Sequence, residues 1–129
     1  GLVVANDADL KRCSTLVHQL RYSGMSHCVV TNEQAQRMPP LLGPSGGLLL
    51  FDRVLCDVPC SGDGTMRKAP DMWRRWRPEA ALGLHPLQVE IAVRGLELTK
   101  VGGLMVYSTC SLNPIENEAV VSEVLRRSQ

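Results

Sequence analysis

The chain has 129 residues, 44% of them hydrophobic and only 4% aromatic, so a core is possible but Leu and Val must fill most of it. Its 14 basic and 13 acidic residues leave a formal charge of +1, which names no partner, so any nucleic-acid signal has to be local. No apolar run suits a transmembrane helix, no basic n-region marks a signal peptide, and five cysteines, an odd number, argue against a secreted disulfide framework.

LVVAN at 2–6 reads as a buried strand, and Leu10, Cys13, Val17 and Leu20 then recur at helical spacing up to a break at Gly24. HCVVTN at 27–32 is a second strand. Residues 33–50, with PPLLGPSGG at 39–47, have the composition of a surface loop. FDRVLCD at 51–57 is a third strand, followed by an irregular Gly- and Pro-rich segment at 58–70 and a short helical segment at 72–76. A stronger helix is expected at about 84–99, where Leu84, Leu87, Ile91, Gly95 and Leu98 share a face, with Gly102-Gly103 ending it. LMVYST at 104–109 is the fourth strand. The last helix is expected to begin at Asn113-Pro114, with Asn113 as cap, Pro114 at the first helical position and Glu116 closing a capping box. Strands alternating with helices imply an α/β fold with a mostly parallel sheet over a single domain, 1–129.

In such sheets ligands bind beyond the carboxyl ends of the strands. Asp7, Asn32, Asp57, Cys60 and Cys110 all fall there. Asp7 suits ribose hydroxyls, or equally the start of a helix, where the dipole favours an acid. Cys60 in Pro-Cys-Ser and Cys110 in Thr-Cys-Ser are flanked by polar or turn residues and could face one substrate if their strands are neighbours. The bland alternative for each is a small buried hydrophobe, the role that Cys13, Cys28 and Cys56 fit better. Asp57 could bind a base edge or form an Asx-turn. No Cys-x-x-Cys pair exists and His18, His27 and His85 have no ligand spacing, so no metal is expected. SGDG at 61–64 is a turn and not a dinucleotide fingerprint. RKAPDMWRRWR at 67–77 mixes base-stacking rings with phosphate-binding charge: Arg67, Lys68, Arg74, Arg75 and Arg77 are the candidate RNA contacts. Trp73 and Trp76, three apart, could also share a helical face toward the core.

Two stretches, DRVLCDVPCSGDGTMRK at 52–68 and GGLMVYSTCSLNPIENEAVV at 102–121, resemble the paired cysteine motifs of the NOL1/NOP2/Sun family of RNA 5-methylcytosine methyltransferases. The similarity extends through VVANDADLKRC at 3–13 and LHPLQVEIAVRG at 84–95. It implies a Rossmann-like core that uses S-adenosylmethionine to methylate C5 of cytosine in RNA, tRNA being the expected substrate, in the nucleus or nucleolus. By the same resemblance Cys110 is the nucleophile, Cys60 assists product release, and Asp57 steadies the cytosine edge. Asp7, Arg12, Gln34 and Asp57 are the residues expected about the cofactor. Gln34 stands in Asn32-Glu33-Gln34-Ala35, where the family has an aspartate. The chain enters directly as a strand, so the family's first strand, glycine-rich loop and catalytic-site lysine are expected to lie upstream, and its last strands downstream. An upstream segment is then expected to complete the sheet, without which the chain should bind cofactor poorly. The competing reading is a non-catalytic RNA-binding remnant or subunit. A small-molecule or protein methyltransferase would need no covalent thiol, and a DNA cytosine methyltransferase would attack with the Pro-Cys thiol, so Cys110 is the discriminating residue.

Overall fold

A computed structural model describes residues 1–43 and 45–128. They form two compact units, 1–39 and 40–129, each built on a pair of parallel strands. The α/β architecture is the one the alternation of segments implies.

In the first unit, β1 (Val3–Asn6) pairs with β2 (Cys28–Thr31), and α1 (Leu10–Ser23) makes the crossover between them. Asp9 starts α1, its carboxylate accepting from the Lys11 and Arg12 backbone N–H groups. Gly24 ends it at φ 69°, a left-handed conformation that suits glycine. Cys13 is buried and its thiol donates to the Asp7 and Thr31 carbonyls, pinning α1 to both strand ends. A single 3₁₀ turn, Ala35–Arg37, follows β2. Beyond it, in the second unit, Leu42 and Leu48 form an isolated antiparallel bridge, and Pro44 of the expected loop lies outside the described residues.

In the second unit, β3 (Phe51–Asp57) pairs with β4 (Thr99–Ser108), again parallel. Between them run the four-residue α2 (Met72–Arg75) and the long α3 (Glu79–Glu97), and α4 (Glu118–Arg127) follows β4. Val89 and Ala92 of α3 meet Val120 and Val124 of α4 in a dry cluster, with Val93, Leu96 and Tyr107 packed against it. Burying each such valine is worth roughly 1.5–3 kcal/mol. At Gly95 a Cβ would overlap the buried Cys56 Sγ, so α3 lies close on β3 because this position has no side chain.

Four local expectations are corrected. The helix expected at 84–99 begins five residues earlier, at Glu79, because Pro78 has the φ a first turn needs and Glu79 favours the dipole. It also accommodates Pro86 in its interior. Gly102-Gly103 does not end that helix but lies inside β4, where the register slips between the Phe51–Thr99 and Arg53–Leu104 pairs. Gly102 has φ +79°, and a Cβ on Gly103 would press on the Lys100 and Asp52 carbonyls at 2.9 and 3.0 Å. Trp73 and Trp76 do not share a helical face: α2 stops at Arg75 and Trp76 is extended. Finally, the last helix starts at Glu118, and Asn113 instead closes an Asx-type turn by accepting from the Ile115 N–H at 3.0 Å. Glu116 is therefore released from capping and turned inward.

Candidate active site

Parallel pairing in register, Cys56 opposite Tyr107 and Asp57 opposite Ser108, delivers the two loops that follow β3 and β4 to the same edge. One further backbone bond, from the Val58 N–H to the Ser108 carbonyl at 3.1 Å, extends the ladder. Past that point the loops carry Cys60 and Cys110, and their sulfurs lie 3.0 Å apart. The Cys110 backbone N–H also points at Cys60 Sγ, at 3.3 Å. The pair is asymmetric: Cys110 is exposed and Cys60 is half-buried. Burial and the neighbouring Cys110 thiol push the Cys60 thiol up to about 11. The shift favours the protonated form of Cys60. Asp57 is exposed at the last pair of the ladder, on the same edge.

The SGDG turn holds the Cys110 loop. Gly62 takes φ +76°, the Gly64 N–H donates to the Cys110 carbonyl at 3.0 Å, and Asp63 accepts from the Leu112 N–H at 2.9 Å. A Cβ on Gly64 would lie 2.7 Å from that carbonyl oxygen, so this glycine is needed for close approach.

Beneath the thiols sits a residue the sequence did not point to. Glu116 is fully buried, and its carboxylate accepts from the Ser61 N–H (2.7 Å), the Ser61 hydroxyl (2.6 Å), the Ser111 hydroxyl (2.6 Å) and the Gln88 amide (3.0 Å). Burial alone would raise its pKa, but the bonds from Ser111, Ser61 and Gln88 outweigh it and hold the carboxyl below the ordinary glutamate value. Its backbone carbonyl accepts from the Tyr107 hydroxyl at 2.6 Å. Burial, with the Glu116 charge adding to it, raises the Tyr107 phenol well above its usual value. The available signal was Glu116 following Asn113-Pro114, but the same spacing fits a capping box. Gln88, also fully buried, lay unremarked among the apolar positions of its helix.

Three of the five basic candidates, Arg74, Arg75 and Arg77, lie at or just beyond the end of α2, while Arg67 and Lys68 are exposed ahead of it. Trp73 stands beside the arginines, 72% exposed, and Trp76 is half-buried with its indole N–H unpaired. The Arg77 guanidinium is folded back on the Arg74 and Trp76 carbonyls.

In the first unit, Asp7 follows β1 directly. Its carboxylate accepts from the Asp9 N–H at 2.9 Å and pairs with Arg12 at 2.9 Å, the Asp7 side chain remaining 21% exposed. The helix cap is Asp9, two residues on, which leaves Asp7 free of that role. Asn32 donates to the Asp7 carbonyl at 2.8 Å, and Asn6 bonds both the N–H and the carbonyl of Glu33. Asp7 and the exposed Gln34 are thus held at one end of a small parallel pair. An acid, two amides and a guanidinium form a donor and acceptor set suited to a polar sugar and a base edge. Among the described residues no group of His, Cys, Asp and Glu could hold a metal ion, and no helix is long and apolar enough to cross a membrane.

Residues 1–129 match the family described as 16S rRNA methyltransferase RsmB/F. The multisite-specific tRNA:(cytosine-C(5))-methyltransferase of Saccharomyces cerevisiae is 56% identical over 98% of this chain and 19% of its own length. The multisite-specific tRNA:(cytosine-C(5))-methyltransferase trm4b of Schizosaccharomyces pombe is 53% identical over 98% of this chain and 20% of its own. The chain thus spans about a fifth of the length of these curated relatives. A crystal structure of a methyltransferase homologue from Pyrococcus horikoshii superposes with a TM-score of 0.75 at 30% identity, covering 98% of this chain and 37% of that one. The fold agrees with the Rossmann-like methyltransferase core expected from the motifs. With a family match running through both cysteine motifs and everything between them, the chain belongs to the RsmB/RsmF methyltransferases, the NOL1/NOP2/Sun family of RNA cytosine-C5 methyltransferases.

Proposed function

We propose that the protein transfers a methyl group to C5 of cytosine in RNA, with tRNA as substrate, through a covalent adduct on Cys110. The observation that carries this reading is the asymmetry of the thiol pair: an exposed Cys110 able to meet a substrate, backed at 3.0 Å by a half-buried Cys60. Two identical side chains in unlike surroundings suit two unlike roles. The tRNA assignment follows the named activities of the yeast relatives.

In this mechanism the Cys110 thiolate adds to C6 of the cytosine, and the ring electrons move toward C5. Asp57, at the same strand edge, hydrogen-bonds the N3/N4 side of the base and stabilises the charge that builds there. S-adenosylmethionine, when bound, supplies the electrophilic methyl group that C5 accepts. Water then takes the C5 proton, the C5–H electron pair re-forms the C5–C6 double bond, and the C6–S bond breaks with its pair returning to Cys110. Cys60, holding its proton beside the departing sulfur, promotes release by hydrogen bonding to it. Asp7, with Arg12 orienting its carboxylate, accepts from ribose hydroxyls of the cofactor, and Gln34 offers an amide to the adenine. Arg67, Lys68, Arg74, Arg75 and Arg77 contact phosphates, and the exposed Trp73 offers a stacking face. Residues 1–129 then act as part of a methyltransferase catalytic domain. The family resemblance is also the basis for placing the protein in the nucleus, which imaging of a tagged protein checks.

The test is covalent capture of tRNA by the full-length protein on a denaturing gel. Cys110→Ser should give neither methyl transfer nor adduct, whereas Cys60→Ser should accumulate adduct. Adduct with the Cys110 variant and none with the Cys60 variant would reverse the roles. A wild-type protein that binds tRNA but gives neither product would favour the non-catalytic RNA-binding reading. Replacing Arg74, Arg75 and Arg77 with Ala should weaken RNA binding and flatten its salt dependence; an unchanged slope would return this segment to ordinary solvated surface.

A further inference from the structure

We infer that Glu116 is the positioning residue of the thiol pair: its buried carboxylate clamps the loop carrying Cys60 to the loop carrying Cys110 and so sets how the two sulfurs meet. This rests on the reading of Cys60 and Cys110 as the reacting pair. The strand ladder ends before either cysteine, so β-pairing cannot fix the loops. Glu116 reaches the residue after each one. Ser61 gives it both its N–H and its hydroxyl, and Ser111 gives its hydroxyl. The residue before Cys60 is held as well, because the Gln88 amide that donates to Glu116 also donates to the Pro59 carbonyl, at 2.8 Å. The residue before Cys110 is tied by Asn117, the neighbour of Glu116, which accepts from the Thr109 hydroxyl at 2.7 Å and donates to the Ser111 carbonyl at 2.9 Å.

The chemistry of the carboxylate decides its role. Each oxygen accepts two bonds: Oε1 from the Ser61 N–H and Gln88, Oε2 from the two hydroxyls. All the usual acceptor directions are taken, and the low pKa opposes protonation, so Glu116 is unsuited to moving the proton of the reaction. A fully buried charge is costly, and an apolar side chain would fill the same space at less desolvation cost. What an apolar side chain could not do is gather donors from two loops and from α3 onto one point. Bonds to an ionised acceptor are shorter and stiffer than neutral ones, as the 2.6 Å hydroxyl contacts are.

The experiment measures thiol placement in the full-length protein without RNA or cofactor. Diamide, a diazene that takes up the two thiol hydrogens, is used to join Cys60 to Cys110, and peptide mapping gives the rate. Glu116→Ala should slow joining about tenfold or more, while alkylation of the exposed Cys110 by a small iodoacetamide stays near wild type. Glu116→Gln keeps the shape, and its amide nitrogen can face the two hydroxyls, which turn to accept. It should recover most of the joining rate, and in the transfer assay it should restore kcat lost by the Ala variant without a change in KM for RNA. If Glu116→Ala does not fold, Ser111→Ala removes a single arm of the clamp and should slow joining several-fold. Joining at the wild-type rate in the folded Ala or Ser111 variant would overturn the inference. A Gln variant as slow as the Ala variant would also overturn it, since a side chain of the same shape that can still bond both loops would then fail to restore placement. Because joining is read without substrate, a wild-type protein inert toward tRNA would sink the proposed function and leave this measurement standing.

Discussion

The two units repeat one device, a parallel strand pair crossed by a helix with polar residues at the carboxyl ends, and put it to different use. In the first unit the strand ends are held by neutral amides and an ion pair exposed on its Arg12 side, with Cys13 and Met38 as the buried apolar side chains. In the second, a dry α3–α4 cluster stands behind the strands, and an ionised carboxylate is sealed under the loops. Polar contacts near water suit reversible binding of a polar ligand, since the groups lose little on release. Placing two thiols against each other calls for the stiffer setting, because small displacements of reacting groups cost large factors in rate.

The sharpest way to break this contrast is kinetic. Cys110→Ser in the second unit should lower kcat for methyl transfer by at least about 10⁴-fold, as loss of a nucleophile does, with cofactor affinity kept. Loss of affinity with kcat retained would erase the distinction between the units. The next largest effect concerns packing. Gly95→Ala should destabilise by about 1–3 kcal/mol through overlap with Cys56, and Val120→Ala should cost about 2 kcal/mol through the cavity it leaves. The half-exposed Val29→Ala in β2 should change stability by less than about 0.5 kcal/mol. Denaturant melts of the three variants check this, and equal losses would mean that the first unit is packed as firmly as the second.

A smaller effect is expected at the ribose-binding candidate. Asp7→Ala should raise KM for S-adenosylmethionine about tenfold with kcat little changed, the size of a lost bond to a charged group. Titration by calorimetry checks it, and an unchanged affinity would leave Asp7 as a partner of Arg12 alone.

The smallest effect is in pH dependence. Glu116 has a folded-state pKa below its unfolded one, so its contribution is present above the usual glutamate value and is lost as acid protonates it. Cys56 and Cys60 have the opposite sign. Burial raises each from 9.0 to about 11, so the folded state keeps protons the unfolded chain has lost, and their contribution falls between those values. The melting temperature should therefore decline on both sides. Glu116→Gln should flatten the acid side, while Cys60→Ser should flatten part of the alkaline side. Acid and alkaline limbs unchanged in those variants would show that other groups set the profile.

Residue patterns alone determined that four strands alternate with helices, and the family, because hydrophobic period and the two cysteine motifs are local properties of the chain; the start of β4, five residues ahead of the expected 104, was not among them. They also placed Cys60, Cys110 and Asp7 beyond strand ends, where parallel sheets put their ligands, while Asp57 proved to be the last paired residue of β3. What they left open depended on partners distant in sequence. Asn113 and Glu116 have the spacing of a capping box, and no local signal tells a capping glutamate from one drawn inward by Ser61, 55 residues away. Gly102-Gly103 reads as a stop until β3 is laid alongside it and the same pair becomes a bulge. Trp73 and Trp76 read as one face until α2 stops at Arg75 and leaves Trp76 extended. The 3.0 Å approach of two sulfurs 50 residues apart was decided only when parallel pairing, a glycine turn and one buried carboxylate acted on both loops together.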